Sequence, residues 1–124
     1  MSSSLIIFID ENTTFDKTQT IQAILSLDSI SKLNTDREEL TDSCLYCEYD
    51  YEEDSASIWL GESLKSIGIR PSGKASLDFA LKLQSLLDVP LTATDTEYSF
   101  QAKLKNIASL QELEDIMSSG IYME

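Results

Sequence analysis

Residues 36–54 read DREELTDSCLYCEYDYEED, and from position 41 onward they alternate. Ser43, Leu45, Cys47, Tyr49 and Tyr51 fall on one side of an extended chain, and Asp42, Cys44, Tyr46, Glu48, Asp50 and Glu52 on the other. A period of two is that of a β-strand with one face in a core and one in water. The first set is the core side, with Leu45, Cys47, Tyr49 and Tyr51 as its anchor; the second is an acidic, tyrosine-bearing surface, on which Cys44 is a partly exposed thiol. Glu52-Glu53-Asp54-Ser55 separates this strand from a second alternating run at residues 56–60, where Ala56, Ile58 and Leu60 oppose Ser57 and Trp59. Two such runs joined by a tight turn make an antiparallel hairpin, with Trp59 near Tyr46. Gly61 ends the return strand or makes a bulge.

The rest of the chain supplies the partners of that hairpin. The β-branched run at residues 5–9, LIIFI, does not alternate and therefore predicts a central strand, ended by Asp10-Glu11-Asn12. Asp16 with Gln19 has capping-box spacing, and Ile21, Ile24 and Leu25 give a helical stripe. Leu27, Ile30 and Leu33 continue it as an extension or a second turn, closed by Asn34 and Thr35. Residues 64–70 predict a short strand with Ile67 and Ile69 on one face, stopped at Pro71. The clearest helix runs over residues 74–87, and its wide apolar arc suits a position flat on a sheet. Val89-Pro90 ends it. Strands at 91–95 and 98–104 follow, the second with Tyr98, Phe100, Ala102 and Leu104 on one face. A last helix starts at Ser109, with Glu112 at the capping-box position and Gly120 as its terminator. The order β-α-β-β-β-α-β-β-α predicts a single α+β domain, mainly an antiparallel β-sheet with two to three helices packed on it.

Charge narrows the function. Nine of the nineteen residues at 36–54 are acidic and only Arg37 answers them, so this stretch holds −8 of the chain's net −13. Phosphate binding is built from Lys and Arg, so this balance disfavours nucleic acid and anionic membranes as partners and favours a basic protein. The apolar run at 5–9 follows no positive segment and is too short for a signal peptide or membrane span, which predicts a cytoplasmic protein. There is no histidine, the commonest general base and metal ligand.

Three chemical readings fail on spacing. Cys44-Leu45-Tyr46-Cys47 has C-x-x-C spacing, but on a strand the two thiols point to opposite faces, and no second ligand pair completes a zinc site. Glu48, Asp50 and Glu52 share a face but stand about 7 Å apart along the strand, too far to converge on one cation unaided. Ser72-Gly73-Lys74 lacks the upstream glycine of a phosphate loop, and Ala75 replaces its hydroxyl residue. The expectation is a non-enzymatic protein with no metal and no cofactor. Its partner-binding face comprises Tyr46, Glu48, Asp50, Glu52, Glu53, Asp54 and Trp59, with the rings giving desolvated contact and the carboxylates steering approach. Tyr122 is a further exposed aromatic. The competing reading has Trp59 under a helix and the acidic strand guarding a sheet edge.

In size, charge and layout, with DSCLYCEYDYEED at 42–54, SASIWL at 55–60 and GKASLDFALKLQ at 73–84, the chain resembles the immunity proteins of bacterial toxin systems, in particular those of contact-dependent growth inhibition and related polymorphic toxins. The resemblance implies a stoichiometric inhibitor that binds a cognate toxin domain, commonly a basic nuclease, and blocks its active site or a neighbouring surface. It transfers no family binding residue onto a position here. The alternative is a nucleic-acid mimic that occupies a DNA-binding protein, which needs carboxylates spaced like phosphates over a long surface; outside residues 36–54 the chain carries only −5.

Overall fold

A computed structural model describes residues 4–9, 13–36, 40 and 43–123. Its elements are β1 (Leu5–Ile9), α1 (Lys17–Leu25), β2 (Ile30–Asn34), β3 (Ser43–Tyr51), β4 (Asp54–Gly61), β5 (Ser66–Arg70), α2 (Lys74–Leu86), β6 (Leu91–Asp95), β7 (Gln101–Lys103), a 3₁₀ turn (Leu104–Asn106) and α3 (Leu110–Ser119). Asp10, Glu11 and Asn12, expected to end the first strand, and Thr41 and Asp42, expected to open the acidic one, lie outside the described residues.

The seven strands form one antiparallel sheet in the order β2-β3-β4-β5-β1-β6-β7, the α+β architecture that the sequence predicts. The hairpin joins the two strands that alternate, with a tighter turn than expected: Tyr51 pairs with Asp54 across the two-residue turn Glu52-Glu53, so Asp54 and Ser55 belong to β4, and Tyr46 lies directly opposite Trp59. β1 sits in the middle, with Leu5 paired to Ile69 on one side and to Asp95 on the other.

The helices pack on one face. Leu45, Cys47 and Tyr49 of β3 point into that layer with Ile58, Leu60, Ile67, Ile69, Leu5 and Ile7, all fully buried, and α2 covers them with Leu77, Phe79, Ala80 and Leu83. Each such Leu, Ile or Phe contributes about 1.5–3 kcal/mol of burial. The Tyr49 and Phe79 rings meet edge to face, 5.6 Å apart at 66°, an arrangement worth about 0.5–1.5 kcal/mol beyond area. The caps follow the sequence: Asp16 accepts from Gln19 N (2.8 Å), Ser109 accepts from Glu112 N (3.2 Å), and Gly120 closes α3 at φ +63°.

Five local expectations are corrected. The spacing of Leu27, Ile30 and Leu33 predicts helix, but Ile30–Asn34 is an edge strand against β3, with Ile30 opposite Tyr49. The free edge of the acidic strand outweighs the weak helical stripe, because unpaired backbone groups there are costly. Next, Cys44 is buried rather than partly exposed. Pairing shifts between Ser43↔Gly61 and Leu45↔Leu60, leaving Cys44 as the extra residue of a bulge, its thiol 3.9 Å from Gly61 O. The same bulge reverses the phase of the strand, so Ser43 turns to the uncovered face instead of the core side. Residues 64–65 belong to a turn with Leu64 at φ +62°, so β5 begins at Ser66. Last, the strand predicted from 98 to 104 is only Gln101–Lys103. Tyr98 is exposed in a turn at φ +54°, held where Ser99 N donates to Asp95 Oδ1 (2.8 Å) and the Ser99 hydroxyl donates to Asp95 Oδ2.

Candidate functional site

The second face of the sheet carries no helix among the described elements. Strand pairing sets its rows: Tyr46, Trp59, Gly68, Ile6, Thr94 and Gln101 lie in one line across six strands, and Glu48, Ser57 and Arg70 in the next. Tyr46, Trp59, Ile6 and Phe8 are half-buried there by their neighbours alone. Trp59 is thus on the open face, not under a helix, and β3 is an interior strand rather than an edge, which removes both parts of the competing reading. Tyr122 is exposed as expected, on the tail that bridges to Gln101 at the far side of the sheet.

The seven residues singled out from the sequence divide into three groups. Tyr46, Glu48 and Trp59 lie together on the open face. The Tyr46 hydroxyl is 3.2 Å from both Glu48 Oε2 and Ser57 Oγ, and Glu48 Oε1 is 3.4 Å from Lys32 Nζ on β2. Glu48 is therefore held by neighbours, and its charge is partly answered within the chain. Asp50, Glu52 and Glu53 form the second group, exposed at the end of the hairpin. Asp54 stands apart. Its carboxylate accepts from Ala75 N (3.0 Å), so it serves the first turn of α2, whose N-cap Gly73 has no side chain.

The hairpin turn is strained. Glu52 has φ +55°, in the left-handed region where a residue with a Cβ costs about 1–2 kcal/mol and where Gly or Asn is the usual occupant. Sequence reasoning placed the turn but not this geometry, which depends on how the two strands twist into it.

Beneath the open face, the groups with shifted pKa values are structural. Burial pushes the Cys47 thiol up to about 12, with the nearby Glu48 charge adding to it, so its thiolate is scarce at neutral pH. Tyr49 is raised by burial and by donating to Asp78 Oδ2 (2.5 Å), which also pairs with Lys82 Nζ (3.2 Å). Lys82 is raised in turn, first through its interaction with Tyr49 and then with Asp78. This triad ties β3 to α2. Among the described residues, no three Cys, Asp or Glu side chains are grouped so that they could hold a metal ion, and no helix is long and apolar enough to cross a membrane.

Comparison with known proteins finds no matching family model, no matching curated protein and no matching solved structure.

Two features of the open face escaped sequence reasoning. Gly68 lies under the Trp59 ring: a Cβ there would stand 2.5 Å from Trp59 Cε2. Arg70 holds its guanidinium over the same ring, 5.7 Å from the centroid, with Nε donating to Ser4 Oγ (3.2 Å). Both depend on β4 and β5 being neighbours in this register, and a Gly-x-Arg pair beside an alternating Trp was the only available signal.

Proposed function

We propose that this chain is a non-catalytic inhibitor of the immunity-protein kind, binding a basic toxin domain in the cytoplasm through the acidic hairpin and the aromatic part of the open sheet face. Asp50, Glu52 and Glu53 steer the basic partner, and Tyr46 and Trp59 supply the contact that water must leave. The observation that carries this reading is Glu52 itself. A glutamate at φ +55° in a two-residue turn forgoes the backbone relief that Gly or Asn would give, and stored strain of this sort collects at functional sites. What it keeps is a third carboxylate at the one place where Asp50 and Glu53 are also exposed.

The nucleic-acid mimic is less well supported. A mimic needs a long line of carboxylates, whereas the strands beyond the hairpin present Arg70, Gln101 and Lys103 to the same face.

Co-purification from the native host names the partner. Its association rate should fall steeply with added salt, and Asp50→Lys, Glu52→Lys and Glu53→Lys together should slow it by about ten-fold or more while leaving the sheet's circular dichroism unchanged. A triple variant that associates as fast as the parent, or protects cells from the partner as well, would falsify the hairpin interface.

A further inference from the structure

A concavity of about 300 Å³ opens on the uncovered face above Gly68. Its wall is the Trp59 ring and its apolar floor is Ile6. Ser43 reaches it only because the Cys44 bulge reverses the strand's phase, and Ser66 and Thr96 add hydroxyl groups around the rim. In a chain of net charge −13, the one charged side chain lining it among the described residues is Arg70.

Arg70 is positioned twice. Its guanidinium lies over Trp59, 5.7 Å from the ring centroid, and the Ser4 hydroxyl takes the Nε proton. Among the described residues the terminal nitrogens have no acceptor, so the two-pronged edge of the fork is available to a ligand. That edge matches a carboxylate, which accepts two parallel N–H bonds in one plane. Gly68 is what makes the room: with no Cβ, it lets the Trp59 ring approach the strand where a methyl group would stand 2.5 Å from Cε2.

We propose that this concavity is a carboxylate-binding subsite. It takes a small organic acid, or an acidic side chain carried by a protein, with the carboxylate on Arg70 and a flat or apolar stem against Trp59 and Ile6. The volume is at the lower end for small-molecule sites, which fits an acid of one ring or one side chain. The subsite does not rest on the hairpin interface. Arg70 and Trp59 are untouched by charge reversal at Asp50, Glu52 and Glu53, so either proposal can fail alone.

Trp59 is the chain's single tryptophan, so its fluorescence reads this site directly. The full chain is titrated at constant ionic strength with benzoate, with its neutral isostere benzamide, and with the blocked peptide acetyl-Gly-Glu-Gly-amide. Saturable change with benzoate assigns a free acid, and with the peptide a protein-borne one; benzamide should give neither. Arg70→Lys, which keeps the charge and loses the fork, should weaken binding by about ten-fold or more, and Arg70→Gln should remove it with the far-UV circular dichroism unchanged. A flat response to both acids, an equal response to benzamide, or full binding by Arg70→Gln overturns the assignment.

Discussion

Gly68→Ala tests whether the open face is built as a unit. The new methyl would meet Trp59 Cε2, Nε1 and Cζ2 at 2.5, 2.6 and 2.7 Å, whereas carbon atoms rest at about 3.5–4.0 Å. The ring must therefore withdraw by about 1 Å, away from the strand and across the guanidinium of Arg70. Overpacking of this kind costs about 1–3 kcal/mol. Against it stands about 0.5–1 kcal/mol recovered by removing a glycine from a strand interior, so the net loss should lie between about 0 and about 2.5 kcal/mol. In a Trp59→Ala background the methyl meets no ring, and the same change should be neutral or mildly stabilising. Urea unfolding of the four proteins, followed by far-UV circular dichroism, closes the cycle, with an expected coupling of about 1–3 kcal/mol. If Gly68→Ala costs the same in both backgrounds, the ring does not rest on the glycine and the geometry argued for the concavity is wrong.

Other outcomes follow from single contacts. Asp54→Ala removes the acceptor of Ala75 N at the start of α2, and should cost about 1–2 kcal/mol of stability in the same urea assay, without slowing association with a basic partner. Glu52→Asn should raise stability by up to about 1 kcal/mol, by relieving the left-handed backbone, while slowing that association. Cys47 and Tyr49 both hold their protons more tightly folded than unfolded. The unfolded groups ionise from about 9.0 and 10.0, so both contributions are complete below pH 9; that of Cys47 is lost as pH rises toward about 12, and that of Tyr49 is lost as pH rises through its raised folded value. The unfolding free energy from urea titration should fall above pH 9 in the parent, by up to about 1.4 kcal/mol per pH unit for each proton. It should fall less in Cys47→Ala or Tyr49→Phe, and an unchanged slope in both would refute the burial argument.

Much of this was legible from residue order because it depends on local periodicity. The alternation of Leu45, Cys47 and Tyr49 set the core face of β3, the unbroken run at 5–9 placed β1 inside the sheet, and Asp16, Ser109 and Gly120 marked helix ends. What escaped depends on a partner strand or helix distant in sequence. β2 looks helical until β3 offers it a ladder, and Cys44 looks exposed until Gly61 opposite leaves it no partner of its own. Asp54 reads as one more surface carboxylate because the backbone N–H it serves lies on Ala75, beyond another strand. For the candidate site, Tyr46 and Trp59 could be paired from the hairpin alone, but the contribution of β5, Gly68 and Arg70, required the sheet order.

That sheet order has a kinetic consequence. β1 is made first, yet both its neighbours come much later, with Leu5 paired to Ile69 and to Asp95. β2 to β5 are sequential neighbours and can assemble as their residues leave the ribosome, but β1 has to wait for them, and its second side stays unpaired until β6 is made. Closing such distant pairings is slow, and for that interval LIIFI is an unpaired apolar strand. A nascent chain halted before β6 should leave β1 open to protease or to a chaperone, and completing β6 should protect it in one step.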